Sequence, residues 1–159
     1  MKVCGIDPGL SGALAIYDTD DTQLEIHDMP TVEVLRNGKK KREVNASLVA
    51  DIIAGKGIGA AYLERVGAMS KQGVSSVFSF GRSVGIIEGV IAAYAIPITI
   101  VTPQAWQKAV MVRGGKDGSR ERAIELFPRD SEAFKRKKDD GRSDATLIAY
   151  YGSMQERKK

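Results

Sequence analysis

The sequence contains very little cysteine and histidine, with one residue of each among 159. Cys4 therefore has no partner for an intramolecular disulfide, and we expect it to be a small buried thiol in an apolar run. A zinc site made from cysteine and histidine ligands is excluded for the same reason. A domain of this length buries about two thirds of its unfolded surface, so it needs no covalent staple. We expect one domain over residues 1–159.

Long apolar segments are also scarce. Residues 1–5 carry one lysine and no long apolar region followed by a cleavage site, so we predict no signal peptide and a cytoplasmic protein. The most hydrophobic stretch, residues 84–101, contains Glu88 and Pro97. We interpret it as a core helix followed by a strand, and we expect no membrane partner.

The charges are distributed unevenly along the chain. The net charge is +4, yet residues 1–30 carry −5 and the remainder carries +9. The basic excess is concentrated at Arg36 with 39–42, at 113–122 and at 135–138. A basic surface beside an acidic segment is expected of a protein that holds a polyanion and also binds cations. Charge alone leaves open the alternative that these residues only aid solubility.

Apolar runs separated by turn residues predict an α/β domain with a five-stranded mixed sheet flanked by helices. The polar residues 31–43 are predicted to form a loop, and residues 67–73 a flexible connection. The predicted strands are 2–7, 13–17, 23–29, 58–63 and 96–101, the predicted helices are 45–54 and 75–94, and helices or loops follow Pro103.

Acidic residues stand where buried strands are predicted to end. Asp7 closes the first strand and Glu64 closes the fourth, while Asp139, Asp140 and Asp144 precede an apolar helix at 145–151. Asp140 and Asp144 share one helix face if that helix begins early enough. Ligands bind at strand ends in sheets of this kind, and an ionised carboxylate beside an apolar layer needs a compensating cation.

Clustered carboxylates raise one another's pKa unless cations lie between them. Oxygen ligands select hard cations, so we predict two Mg²⁺ ions, with Mn²⁺ as a substitute, held by Asp7, Glu64, Asp140 and Asp144. Two such ions can activate a water and stabilise the leaving oxygen of a phosphodiester. We favour Asp140 over Asp139 as the ligand. A turn, an ion pair or a helix cap would explain each acid singly, so the prediction depends on the set.

The segment Gly5-Ile6-Asp7-Pro8-Gly9 resembles the RuvC family of RNase H-like nucleases, whose first strand ends in a catalytic Asp within such a motif. Glu64 is similar to the family's acid at the end of the fourth strand, and Asp144-Ala145 to its last acid. The segment 75–94 resembles its long central helix. Further segments resemble phage-encoded members in particular: 102–108, 115–117, 119–120 and 126–128.

This resemblance implies an RNase H-like fold and a Mg²⁺-dependent endodeoxyribonuclease that resolves four-way (Holliday) junctions. It also implies a homodimer that cuts two opposed strands and uses no nucleotide cofactor. Two departures qualify the resemblance. The family's penultimate acid usually stands where this chain has Gly141, and bacterial members carry an aromatic wedge where this chain has 67–69. Whether Met69 acts as a wedge stays open, as do the preferred branch, the cutting sequence, the source organism and the role of the basic loop Arg36–Arg42.

Basic residues near the predicted acids are candidates for phosphate contacts, which supply affinity without sequence information. The predicted DNA-binding residues are Lys71, Arg82, Lys108, Lys116 and Arg120. For each of them, a solvated surface position remains the alternative. We interpret Trp106 as a core residue and not as a stacking platform for a base.

Other functions are compatible with the opening motif. A general nuclease for forks and flaps and an RNase H-like RNA-processing nuclease of the YqgF type remain alternatives. A sugar kinase or actin-like ATPase is disfavoured because the chain is short and lacks a second phosphate loop. A non-catalytic DNA-binding module is disfavoured because it would have no reason to retain four mutually repelling acids.

Overall fold

A computed structural model describes residues 1–36, 38–65, 67 and 73–159. Within these residues, seven strands form two sheets and five α-helices surround them. The strands are β1 (Lys2–Asp7), β2 (Ala13–Asp18), β3 (Leu24–Asp28), β4 (Thr31–Arg36), β5 (Lys39–Val44), β6 (Ile58–Glu64) and β7 (Ile98–Val101). The helices are α1 (Ala46–Ile53), α2 (Val74–Ala93), α3 (Pro103–Ala109), α4 (Gly118–Leu126) and α5 (Asp140–Glu156), with 3-10 turns at Pro128–Phe134 and Lys137–Asp139.

The main sheet has the strand order β3-β2-β1-β6-β7. β1 is antiparallel to β2 and parallel to β6, and β6 is parallel to β7. Ile6 stands opposite Leu63, so the next residue of each strand, Asp7 and Glu64, lies at the same edge of the sheet. The structure thus confirms the predicted five-stranded mixed sheet flanked by helices, and it brings two of the predicted acids to its carboxyl edge.

Both faces of the central strands are buried, each against a different set of helices. Val3 and Tyr62 face a core layer that includes the buried residues of α5. Cys4, Ile6 and Leu63 face a second layer with α1 and α2. This double burial explains why β1 and β6 are almost continuously apolar and do not alternate with polar residues.

The segment predicted as a polar loop, 31–43, is instead a β-hairpin of β4 and β5. Val32 and Val34 alternate with polar residues, and Asn-Gly at 37–38 is the sequence signature of a tight hairpin turn. Gly38 has the positive φ of +71° that such a turn requires. The high charge of the segment obscured this strand pattern.

The apolar stretch 84–101 divides into helix and strand as predicted, but it is not all core. α2 buries Ser83, Ile87 and Ile91, whereas Ile98 and Ile100 of the edge strand β7 are partly exposed. α2 is long and apolar enough to cross a membrane by length and composition alone. Such a helix is also common in proteins that bury one face and pair the other.

Residues 66 and 68–72 lie outside the described part of the chain. They include Met69, the candidate wedge, and Lys71, one of the predicted DNA contacts. Both interpretations therefore stay predictions from the sequence.

Close packing between β1 and α5 depends on the absence of a side chain at Gly5. A Cβ added there would lie 2.1 Å from the carbonyl oxygen of Ala145 and 2.2 Å from the amide nitrogen of Ala149. We predict that Gly5→Ala lowers the free energy of unfolding by about 3 kcal/mol or more, because the helix must move off the sheet. Chemical denaturation measures this value. Gly114→Ala is the control, because a Cβ at Gly114 meets nothing within 4 Å; equal stability of the two variants would contradict the prediction.

Candidate active site

Asp7 sits where β1 enters a tight turn. Its Oδ1 accepts a hydrogen bond from the Gly9 amide at 3.2 Å, and the Gly12 amide donates to the Gly9 carbonyl at 2.9 Å. A Cβ at Gly12 would lie 2.2 Å from the Asp7 carbonyl oxygen, so glycine is required there. Burial raises the pKa of the Asp7 carboxyl, and the Gly9 amide offsets part of this effect.

Glu64 ends β6 beside Asp7 and has one specific side-chain partner that sequence reasoning missed. The indole nitrogen Nε1 of Trp106, on α3, donates to Glu64 Oε1 at 2.9 Å. Trp106 is fully buried, as its interpretation as a core residue predicted. Burial raises the pKa of Glu64, the Trp106 hydrogen bond lowers it, and the charge of Asp7 raises it. Trp106 therefore fixes the orientation of this carboxylate as well as filling the core.

Asp144 lies one turn into α5, above the strand ends. Its pKa is raised to about 7, chiefly by burial, with the Ser119 hydroxyl acting in the opposite direction and the charges of Asp7, Glu64 and Asp140 raising it further. Its buried Oδ1 has no hydrogen-bond partner among the described residues. A buried carboxylate oxygen without a donor is unfavourable unless a proton or a cation satisfies it.

Position 141, at the start of α5, has no room for a side chain. A Cβ at Gly141 would lie 2.4 Å from the Ser11 carbonyl oxygen and 2.7 Å from the Gly12 Cα. No side chain fits at this position, because the first turn of α5 packs directly on the turn after Asp7. An acid serving the site from this end of α5 must therefore come from a neighbouring position.

The two neighbouring candidates, Asp139 and Asp140, have different environments. Asp139 is 1% exposed and accepts hydrogen bonds from the Arg136 amide at 2.8 Å and from its guanidinium at 2.9 Å. Burial acts to raise the pKa of Asp139, but these bonds and the charge of Arg142 leave it lowered. Asp140 is about half exposed, and its charge acts on Asp144. The choice of Asp140 as a ligand stays a prediction, and the geometry is consistent with it because Asp139 already has its donors.

Arg120, whose predicted DNA contact stays a prediction, is 12% exposed and faces acidic groups. Its Nε lies 2.8 Å from Asp140 Oδ1, its NH2 contacts Asp117, and its NH1 donates to the Lys135 carbonyl at 3.2 Å. These contacts compete with binding to phosphate. Arg120 thus supplies a positive charge beside Asp140, whereas none of the ion pairs between described residues involves Asp7, Glu64 or Asp144.

The donor set of the site suits a hard divalent cation. Asp7, Glu64 and Asp144 each combine burial with a raised pKa, and Asp144 Oδ1 lacks a donor. A hard cation that prefers oxygen ligands stabilises the ionised form of such carboxylates. Across the described ranges, however, no three acid, histidine or cysteine side chains are already arranged around one metal position.

Three further predicted DNA contacts, Lys108, Lys116 and Arg82, fall on described residues. Lys108 on α3 and Lys116 before α4 are exposed. Arg82 on α2 is half exposed and lies 3.6 Å from Glu43 of β5. Their roles stay predictions, since exposure permits a phosphate contact without requiring one.

No protein-family model matches the chain, and no curated protein is similar to it in sequence. Solved structures do share its fold. Thermus thermophilus RuvC in complex with Holliday junction substrate superposes with a TM-score of 0.69 at 13% identity, covering 99% of this chain and 96% of RuvC. A second structure of T. thermophilus RuvC gives 0.67 at 14% identity with the same coverage. The yeast mitochondrial Holliday junction resolvase Ydc2 gives 0.51 at 14% identity, covering 97% of this chain and 80% of Ydc2. The chain therefore has the RuvC fold along nearly its whole length.

The raised pKa of Asp144 predicts how stability depends on pH in the absence of divalent metal. The unfolded carboxyl ionises near 3.8, whereas the folded one keeps its proton to about 7, so the free energy of unfolding falls as pH rises between these values. Asp144→Asn removes this loss. We predict that the free energy of unfolding of the variant exceeds that of the wild type by on the order of 2–4 kcal/mol at pH 8, and that the two are equal at pH 4.

Denaturant titrations across this pH range, with EDTA present, measure the difference. Asp51→Asn is the matched control, because Asp51 is an exposed acid on α1. Parallel pH profiles for wild type and Asp144→Asn would show that this carboxyl is not destabilised by its surroundings.

Proposed function

We propose that this chain is a metal-dependent endonuclease that resolves four-way DNA junctions by hydrolysing phosphodiester bonds. The observation that carries the proposal is the group of partly buried carboxylates at the carboxyl ends of β1 and β6, for which the described residues supply no ion-pair partner at Asp7, Glu64 or Asp144. This group lies on a fold shared with RuvC, which has been solved in complex with Holliday junction substrate. Fold alone does not establish an activity, so the proposal depends on the chemistry of these side chains.

The proposed ligands are Asp7, Glu64, Asp140 and Asp144, and the proposed ions are two Mg²⁺, replaceable by Mn²⁺. A pair of hard cations supplies Lewis acidity to the phosphodiester and lowers the pKa of a water molecule. The protein supplies the orientation. The Gly9 amide holds Asp7, the Trp106 indole holds Glu64, and the packing of Gly141 on the Asp7 turn brings α5 over both.

The state of Asp144 predicts how metal binding responds to pH. With a pKa of about 7, this carboxyl carries a proton through much of the acidic range. A cation must displace that proton, so metal affinity increases as pH rises toward and beyond neutrality. Lys108 and Lys116, exposed near this end of the molecule, are proposed to hold phosphates and carry no sequence information.

We predict that Asp7→Asn, Glu64→Gln and Asp144→Asn each reduce junction cleavage by about a thousandfold or more while leaving junction binding within a few fold. Labelled four-way junctions, forks, duplex and structured RNA are incubated with each variant, with and without Mg²⁺. Asp51→Asn is the control and should cut like the wild type. Asp140→Asn should be impaired far more than Asp139→Asn if Asp140 is the ligand.

The outcomes separate the candidate functions. Junction cleavage that needs Mg²⁺ and Asp7 supports the proposal. If forks are cut as fast as junctions, the chain is a general branched-DNA nuclease. If only RNA is cleaved, it is an RNA-processing enzyme. Full cleavage by Asp7→Asn would refute the proposed site.

The exposed face of α2 supports a homodimer, which would place two sites on one junction. Six small or apolar residues lie on one face of this helix at spacings of three or four, and all are exposed. They are Val74, Phe78, Gly81, Gly85, Gly89 and Ala92. Phe78 is 72% exposed, and a Cβ added at any of the three glycines meets nothing within 4 Å. A second copy of α2 would bury this stripe and could approach closely at the glycines.

We predict that the wild type sediments as a dimer and that Phe78→Glu sediments as a monomer at the same micromolar concentration. The reason is that a carboxylate placed on the stripe would have to be buried against the partner helix. Leu48→Glu, an exposed apolar position on α1, is the control and should leave the dimer intact. Analytical ultracentrifugation gives the masses, and a monomeric wild type would exclude α2 as a dimer surface.

A further inference from the structure

The β4–β5 hairpin is the part of the fold that the proposed catalytic site does not use. It stands outside the main sheet as a separate two-stranded sheet. Residues 31–44 carry five basic and two acidic side chains, and all five basic ones are exposed. The basic residues are Arg36, Lys39, Lys40, Lys41 and Arg42. The hairpin is therefore a charged projection with a net charge of +3.

The base of the hairpin is attached to the turn that carries Asp7. Arg42 donates to the Leu10 carbonyl at 3.0 Å and to Thr31 Oγ1 at 3.2 Å. The Met29 amide, just before the hairpin, donates to the Gly12 carbonyl at 2.9 Å. Arg42 and the backbone thus hold the base of the hairpin, which is the start of β4 and the end of β5, against residues 10–12. A ligand held by the hairpin is consequently held near the acids.

Two grooves meet at this attachment, and Leu10 and Arg42 line both of them. The first, of about 330 Å³, is lined by Lys41 and by hydroxyls at the start of α2, including Ser75 and Ser79. No carboxylate lines this groove in the described part of the chain, and Lys41 Nζ lies 3.4 Å from Ser75 Oγ. Ammonium and hydroxyl groups together are the side chains that bind phosphate oxygens of a nucleic-acid backbone.

The second groove, of about 380 Å³, lies on the α5 side of the same turn. Arg136, Lys138 and Arg142 line it together with Asp28 and Asp139. Arg142 is engaged by Asp28 through two bonds at 2.6 and 2.7 Å, and Arg136 is engaged by Asp139. Both guanidinium groups are therefore already neutralised by carboxylates. Lys138 adds one further positive charge to this groove, whereas Lys41 and Arg42 line the first groove, on the α2 side, where no carboxylate is found in the described part of the chain.

We propose that the β4–β5 hairpin is an arm that grips the phosphate backbone of a DNA segment leaving the active site along the first turns of α2. This inference rests on the proposed function, because it takes DNA as the ligand. The hairpin lysines would contact phosphates and read no base, so they contribute affinity and fix the path of the segment. Attachment of the hairpin to the Asp7 turn aligns that path with the reacting phosphodiester.

The test is the salt dependence of junction binding by Lys39→Gln/Lys40→Gln/Lys41→Gln, measured in EDTA so that no cutting occurs. Removing one lysine–phosphate interaction lowers the slope of log affinity against log salt by about 0.9. We expect the slope to fall by about 2 to 3 and the dissociation constant to rise about tenfold or more at roughly 100 mM salt. Lys40→Gln alone, at a site 76% exposed, should lower the slope by about one without affecting folding.

The matched control removes the same charge elsewhere. Arg157→Gln/Lys158→Gln/Lys159→Gln changes three exposed residues just beyond the far end of α5, which is about 25 Å long. This control should bind nearly as the wild type does. If it weakens binding as much as the hairpin variant, or if the hairpin variant keeps the wild-type slope, the arm is refuted while the nuclease proposal stands. If the wild type itself binds no junction, both proposals fall together.

Discussion

The structure depends on an electrostatic conflict between strands that must be apolar and carboxylates at their ends. β1 and β6 are buried on both faces, so their side chains build two core layers at once. Asp7 and Glu64 are the last residues of these strands and lie beside those apolar layers. The low-dielectric surroundings raise the pKa of both carboxyls. Asp144 joins them from α5 with a pKa of about 7. Stability alone would favour neutral residues at all three positions, which is why their presence together supports the proposed metal site.

Three close contacts at glycines bring the acids together. Gly5 lets α5 lie against β1, Gly12 lets the chain return past Asp7, and Gly141 lets the start of α5 rest on that turn. A methyl group at any of these positions would lie within 2.4 Å of a backbone atom. The same packing leaves no space for an acid at position 141. The fourth carboxylate of the proposed site therefore comes from Asp140. Arg120 partly neutralises the charge of Asp140, so its electrostatic environment differs from that of the other three acids.

The strands, the edge where the acids meet and the burial of Trp106 could be predicted because each follows from local pattern. Strands buried on both faces appear as apolar runs, and parallel neighbours must end at the same edge. The hydrogen bond from Trp106 to Glu64 could not be predicted, because it joins residues 42 positions apart through the packing of α3. The same holds for the pairing of Arg120 with Asp140. The hairpin was missed for another reason, since dense charge concealed the alternation of Val32 and Val34 beside an Asn-Gly pair.

Basic residues that are paired with carboxylates have a different role from basic residues that are not. Arg120, Arg136 and Arg142 each have a carboxylate partner at 2.6 to 2.9 Å, so each helps hold α5 and its acids in place. The hairpin lysines have weak or distant partners, such as Lys40 at 3.5 Å from an exposed Glu33. An exposed ion pair of this kind contributes little to stability. The hairpin lysines therefore add little to folding stability, whereas their position on a projection attached to the Asp7 turn suits the proposed grip on a polyanion.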